Sequence, residues 1–212
     1  MKFEELVRKF KSRPFIELKE VTAFTEDSEQ QIKNQFYHWA RQGKLERLRR
    51  GCYILAEPFR KYLPSVYYIS NYLYRPSYVS LYSALQFHGM IPEAVFQIQA
   101  VTSKHGQEWD TSLGTFKYYS IKQERFWGYE EVSTEARQTQ NKFFMALPEK
   151  AILDLFYFQK GDWPLKRIKE MRFQETDNID TDVLKKFALK YNSPKIEKAA
   201  DNFLKYKEKN KV

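Results

Sequence analysis

The run Ile32 to Leu55, IKNQFYHWARQGKLERLRRGCYIL, constrains the fold of this chain more than any other stretch. It reads as an amphipathic helix stopped at Gly43, followed by two short strands joined through the basic turn Arg49-Arg50-Gly51. Ser28 is a good N-cap, Glu29 suits the positive end of the helix dipole, and Gly43 sits where a glycine ends a helix in the left-handed conformation. Between them Ile32, Phe36, Trp39 and Ala40 recur at i, i+4, i+7 and i+8 and make one apolar stripe. The helical period leaves Gln30, Asn34, Tyr37 and Arg41 on the other side, flanked by Gln31, Lys33 and His38. These are donors and acceptors of the kind that read base edges, with few full cations among them. A solvated polar face is the alternative for the helix taken alone.

The residues after Gly43 narrow the choice. Leu45 and Leu48 can face inward while Glu46, Arg47, Arg49 and Arg50 stay outside, and Gly51 supplies a tight turn before Cys52-Tyr53-Ile54-Leu55. Two adjacent arginines at a hairpin tip repel each other, and a phosphate backbone or a narrow minor groove relieves that repulsion. Keeping a turn soluble is the plainer role for the same pair. Upstream, Phe3, Leu6, Val7 and Phe10 form the stripe of a first helix that Pro14 ends. Leu18, Val21 and Phe24 then suggest a short second helix before the turn Thr25-Glu26-Asp27. Helix, short strand, helix, turn, helix and hairpin is the order of a winged helix-turn-helix, placed at residues 1–57, and it points to duplex DNA.

Charge agrees with an anionic partner without localising it. The 212 residues carry a formal net charge of +9, and each third of the chain contributes to the excess. What is local is the run Arg41, Lys44, Arg47, Arg49 and Arg50, opposed only by Glu46. Cys52 is the single cysteine, which excludes an intrachain disulfide and suits a small buried hydrophobe. MKFEELVRKF alternates charged and apolar residues and lacks the apolar core of a signal peptide, and no stretch approaches the length of a membrane span. A cytoplasmic location is the expectation.

Residues 61–212 read as a second, mixed α/β domain, so the fold class expected for the whole chain is α+β. Tyr67 to Tyr74 looks helical until Arg75-Pro76, and Tyr78-Val79-Ser80 leads into a helix from Leu81 to His88 that Gly89 ends. Val95 to Thr102 and Thr115 to Ile121 read as strands separated by a polar loop containing Gly106 and Gly114. Ala146 to Phe158 is a helix with Pro148 and Glu149 in its first turn, and two more helices are expected near Asp182 to Tyr191 and Pro194 to Glu208. The Lys-rich end from Lys205 to Val212 is expected to fray.

Catalytic signals are weak. His38, His88 and His105 have no partner at metal-binding spacing, so neither a metal nor a cofactor is expected. His88, beside Gly89, suits a helix-capping or structural role. Glu149, Lys150 and Asp154 could suggest an acidic nuclease-like site, but Glu149 fits the helix dipole and Lys150 with Asp154 makes an i, i+4 pair. No catalytic residue is assigned.

The pieces LERLRRGCYIL, YVSLYSALQFHGMIPE, TSLGTFKYYSI and MALPEKAILDLFY, in that order, resemble the AbiEi-type antitoxins and transcriptional regulators of AbiE type IV toxin-antitoxin systems. The resemblance runs from the hairpin to the C-terminal helices. It implies a winged helix followed by an α/β antitoxin domain, repression of the protein's own operon through an operator of inverted repeats, and room for a dimer on the DNA. It also implies neutralisation of a nucleotidyltransferase-like toxin without a stable complex. The DNA-contacting candidates are then Ser28, Gln30, Gln31, Lys33, Asn34, Tyr37 and Arg41 on the helix, and Arg47, Arg49 and Arg50 on the hairpin. The chain departs from the family in a longer, more polar approach to the helix, from Glu26 to Gln31. Relatives without a toxin leave a stand-alone regulator open. A DNA-processing enzyme targeted by the winged helix and a protein-interaction module are the readings from other classes.

Overall fold

A computed structural model describes residues 1–136 and 139–209. It divides the chain into two compact units, Met1–Val66 with Trp109–Thr115, and Tyr67–Glu108 with Phe116–Val212. The class is α+β.

The first unit runs α1 (Phe3–Phe10), β1 (Ile16–Glu17), α2 (Leu18–Thr22), α3 (Glu29–Arg41), β2 (Leu45–Arg49) and β3 (Cys52–Leu55). The strands form one antiparallel sheet in the order β1-β3-β2. Its core gathers Leu6 and Phe10 from α1, Leu18 and Val21 from α2, Ile32 and Phe36 from α3, and Leu45, Tyr53 and Leu55 from the sheet. The stripe read from α3 is therefore the buried one, with Ile32 and Phe36 fully enclosed and Trp39 packed at its margin. Phe24 departs from expectation: α2 stops at Thr22 and the ring is about half exposed. It lies under the Lys9 ammonium at 5.2 Å, one face of the ring sheltering a cation. Leu45 and Leu48 are both buried although three residues apart, because the register slips between Arg47 and Arg49. All four residues of β3 are buried as well, Cys52 among them, and burial pushes its thiol far above the usual range.

The remaining elements are α4 (Val66–Leu73), β4 (Ser77–Val79), α5 (Leu81–Phe87), β5 (Gln97–Thr102), β6 (Gln107–Thr111), β7 (Gly114–Ser120), β8 (Tyr129–Ala136), β9 (Thr139–Ala146), α6 (Pro148–Phe158), α7 (Leu165–Glu170), α8 (Thr181–Lys190) and α9 (Pro194–Lys209), which make up the second unit apart from Val66 and from Trp109–Thr115 at the β6–β7 turn. Six strands make a mixed sheet in the order β6-β7-β5-β4-β9-β8. β4 pairs antiparallel with β5 and parallel with β9, and β8 with β9 form an antiparallel hairpin. The core runs from Tyr78, Val79 and Met145 in the sheet through Ile152, Leu155 and Phe156 of α6 to Phe203 of α9.

Three departures from the sequence reading have physical causes. The polar loop expected between the strands after Val95 contains β6, an edge strand whose QEWDT residues are largely exposed and show no apolar alternation. β8, with its acidic YEEVSTEA, and α7, whose only buried residue is Ile168, likewise carry too little apolar pattern to stand out. The expected fraying from Lys205 is replaced by helix through Lys209, because Tyr206 is buried and the Lys207 ammonium donates to the Ile179 carbonyl within the protein. The part of that expectation covering residues 210–212 lies outside the described residues. No helix among the described residues is long and apolar enough to cross a membrane.

Candidate nucleic-acid interface

α3 is held at its start by a reciprocal cap. The Ser28 hydroxyl accepts from the Gln31 amide at 3.3 Å, and the Gln31 Oε1 accepts from the Ser28 amide at 2.8 Å. Both side chains were candidates for DNA contact on the sequence, and both are engaged in capping. Gln30 donates to the Asn34 Oδ1 at 3.1 Å one turn on, and both remain exposed. Tyr37 is 58% exposed, and the Arg41 guanidinium stands over its ring at 5.9 Å. Gln30, Asn34, Tyr37 and Arg41 thus form a polar ridge along the outer side of the helix, opposite Ile32 and Phe36.

Beside that ridge lies a cavity of about 600 Å³, bounded by α2, by Glu29, Lys33 and Tyr37 of α3, and by Arg47, Arg50 and Gly51 of the hairpin. Its charged lining is Lys19, Lys33, Arg47 and Arg50 against the single carboxylate of Glu29. Lys33 bonds that carboxylate at 2.6 Å and holds it below its usual pKa. The ion pairs described in this unit join the Met1 amino terminus to Asp27, Arg13 to Glu20, Lys33 to Glu29, Arg49 to Glu17, and Arg60 to both Glu46 and Glu57. Lys19, Arg47 and Arg50 take part in none among the described residues. Glu46, which opposes the basic run in sequence, is claimed by Arg60 at 2.9 Å, so it does not offset its neighbours.

The two tip arginines separate. Arg49 donates to Glu17 on β1 at 2.8 Å and to the Arg50 carbonyl at 3.2 Å, and its guanidinium is only 28% exposed. Arg50 is exposed and lines the cavity. The repulsion expected between them is relieved within the protein by Glu17. Lys19 and Thr22 of α2, by contrast, line the cavity without having been singled out in the sequence. Projecting Leu18 and Val21 inward on a short helix would have placed Lys19 on its open side and Thr22 at the margin of the buried stripe.

The cluster on α6 is closed. Lys150 and Asp154 are fully buried and bonded to each other. The ammonium also donates to the hydroxyls of Tyr78 at 3.0 Å and Tyr191 at 2.8 Å, and Ser80 donates to the Asp154 carboxylate at 2.6 Å. Burial pulls the Lys150 ammonium below its ordinary pKa and pushes both phenols well above theirs. Glu149, also buried, accepts from the Asp180 amide at 2.8 Å. Asp154 is therefore saturated by protein donors and shut off from solvent, and Glu149 is buried with one carboxylate oxygen held by a backbone amide. Among the histidines, His88 is half-buried with its Nε2 2.9 Å from the Ala146 carbonyl, whereas His38 and His105 are exposed. No group of three or more His, Cys, Asp or Glu placed to hold a metal occurs among the described residues.

No protein-family model matches the chain, and no curated protein matches it.

Proposed function

We propose that the protein is a sequence-specific, double-stranded DNA-binding transcriptional repressor whose first unit is a winged helix. The carrying observation is the cation-lined cavity between α3 and the β2–β3 hairpin, bordered by the amide-rich outer ridge of α3. On this reading the ridge enters the major groove, where Gln and Asn carboxamides match the donor and acceptor pattern of adenine and Arg41 matches guanine or a flanking phosphate. Lys19, Lys33, Arg47 and Arg50 then line the course of one phosphate backbone, and the hairpin acts as the wing. Ser28 and Gln31 contribute by fixing the helix start, where exposed amides and the dipole favour a phosphate.

The resemblance to AbiEi-type antitoxins extends the proposal. The repressor controls its own operon and counteracts a nucleotidyltransferase-like toxin, with the second unit carrying that role and no catalysis of its own. The burial of both Glu149 and Asp154, and the saturation of Asp154 by protein donors, support the non-enzymatic reading over the DNA-processing one.

The test is a titration of the full chain with duplex from upstream of its own gene, against scrambled duplex of equal length, over a range of salt. The expected result is preference for the upstream duplex. Its log K should fall with log salt, and the slope should flatten by about 0.9 for each phosphate contact removed in a Lys19→Ala, Arg47→Ala, Arg50→Ala series. Equal, salt-insensitive binding of both duplexes, or none at low salt, overturns it. Co-expression with a nucleotidyltransferase-like protein encoded beside the gene tests the antitoxin part; the absence of such a neighbour, or growth arrest unrelieved by the full chain, overturns that part alone.

A further inference from the structure

A second cavity, of about 510 Å³, opens in the second unit between α4, the start of β4 and the β8–β9 hairpin. That volume is in the range of small-ligand sites. Its walls are aromatic: Tyr68, Phe126, Tyr129 and Phe144. Tyr129 is braced from behind, stacked on Tyr78 at 4.7 Å and edge-on to Phe144 at 5.6 Å, so these walls are pre-formed.

Two buried side-chain atoms of residues lining this cavity, the Asn71 Nδ2 and the Ser77 Oγ, have no hydrogen-bond partner among the described residues. Asn71 is 6% exposed and Ser77 5%. Buried polar atoms without partners are few in folded proteins, and two in one cavity call for a common explanation. The orientation of Asn71 is set from inside, since its Oδ1 accepts the Phe144 amide. The carboxamide therefore presents only its NH2, a donor, and the Ser77 hydroxyl can accept or donate. At the rim Lys142 is neutralised by Glu131 at 2.8 Å. Arg75 is exposed, rests over the Tyr72 ring at 5.3 Å, and forms no ion pair among the described residues.

We infer that this cavity binds a nucleotide whose base carries a keto group beside a ring N–H, as uracil and guanine do. The base stacks among the aromatic walls, the Asn71 NH2 donates to the keto oxygen, the Ser77 hydroxyl accepts from the ring N–H, and Arg75 meets the phosphate. A free nucleotide and the unpaired end of a strand share this chemistry. The inference stands independently of the duplex-binding reading, which concerns the other unit.

Calorimetric titration of the full chain with the monophosphates of uridine, guanosine, cytidine and adenosine, with uridine, and with a short oligouridylate tests it. Saturable binding of the uridine and guanosine nucleotides ahead of the other two is expected. Ser77→Ala should weaken it about fivefold while leaving the thermal midpoint unchanged or raised, because the hydroxyl has no partner to lose among the described residues. Arg75→Ala should weaken the nucleotide and spare uridine. Asn71→Asp keeps the acceptor for the Phe144 amide and removes the donor, and should abolish the keto preference. Binding of the mononucleotide as tight as that of the oligonucleotide assigns the free ligand. Ser77-dependent binding of the oligonucleotide alone assigns a strand end. No saturable binding by any probe, binding that Ser77→Ala and Arg75→Ala leave unchanged, or equal binding of all four bases overturns the inference.

Discussion

Glu17 holds the Arg49 guanidinium at 2.8 Å, whereas Arg50, next in sequence, stands exposed at the cavity edge. Single substitutions of the two should therefore part company. Arg49→Ala removes a partly exposed ion pair and should lower stability by about 0.5 kcal/mol, read as a small drop in denaturant midpoint. Its effect on the salt dependence of duplex binding should be negligible. Arg50→Ala should leave stability unchanged and flatten the log K against log salt slope by about 0.9, one phosphate contact. If Arg49→Ala flattens the slope as much as Arg50→Ala does, the hairpin contact has been given to the wrong arginine. The sequence placed both arginines on one turn but not their different fates, because Glu17 lies 32 residues away and reaches Arg49 only through the β1–β3–β2 sheet.

Among the elements, α3 was legible and the β8–β9 hairpin was not, for opposite physical reasons. α3 combines a strict apolar stripe with a cap at each end, three local signals that agree. The strands β6 and β8 carry exposed acids and no clean alternation, and pairing with distant partners makes them strands. The α6 cluster lies between these cases. Lys150 and Asp154 announce an i, i+4 pair, but their complete burial depends on Tyr78 and Tyr191, 72 and 41 residues from Lys150. The cap on α3 yields a sharp prediction. Ser28→Ala should cost about 1 kcal/mol, and Ser28→Asp should restore most of it, since aspartate caps as well as serine. Thermal melts of both variants without DNA check this. If Ser28→Asp melts as low as Ser28→Ala, the hydroxyl is not acting as an N-cap.

At the scale of the molecule, the many buried phenols set an alkaline limit. Burial raises the pKa of Tyr67, Tyr78, Tyr82, Tyr119, Tyr191 and Tyr206 in the folded state. A folded-state pKa above the unfolded value means stability that is complete below about pH 10 and lost as the pH rises through the folded values. Lys150 and Lys195, lowered by burial, act with the opposite sign just below about pH 10.5, where their strain is relieved as the unfolded amine also deprotonates. Six phenols outweigh two amines. The denaturant midpoint should stay level to about pH 9 and fall steeply above about pH 10, with a distinct step of tyrosinate absorbance, from these six phenols, in the same transition as unfolding. Complete phenolate formation, with no step left for the unfolding transition, would contradict it.

The Lys150 cluster ties together three distant parts of the chain: β4 through Tyr78, α6 through Asp154, and the residue after α8 through Tyr191. Gly128 seals it from a further side, since a Cβ there would sit 3.1 Å from the Lys150 side chain. Water reaches no part of this charge cluster unless several of those parts come away at once. The amides of Tyr78, Asp154 and Tyr191 should therefore exchange with deuterium on one common, slow clock set by a single cooperative opening, while the exposed edge strand β6 exchanges freely on a clock of its own.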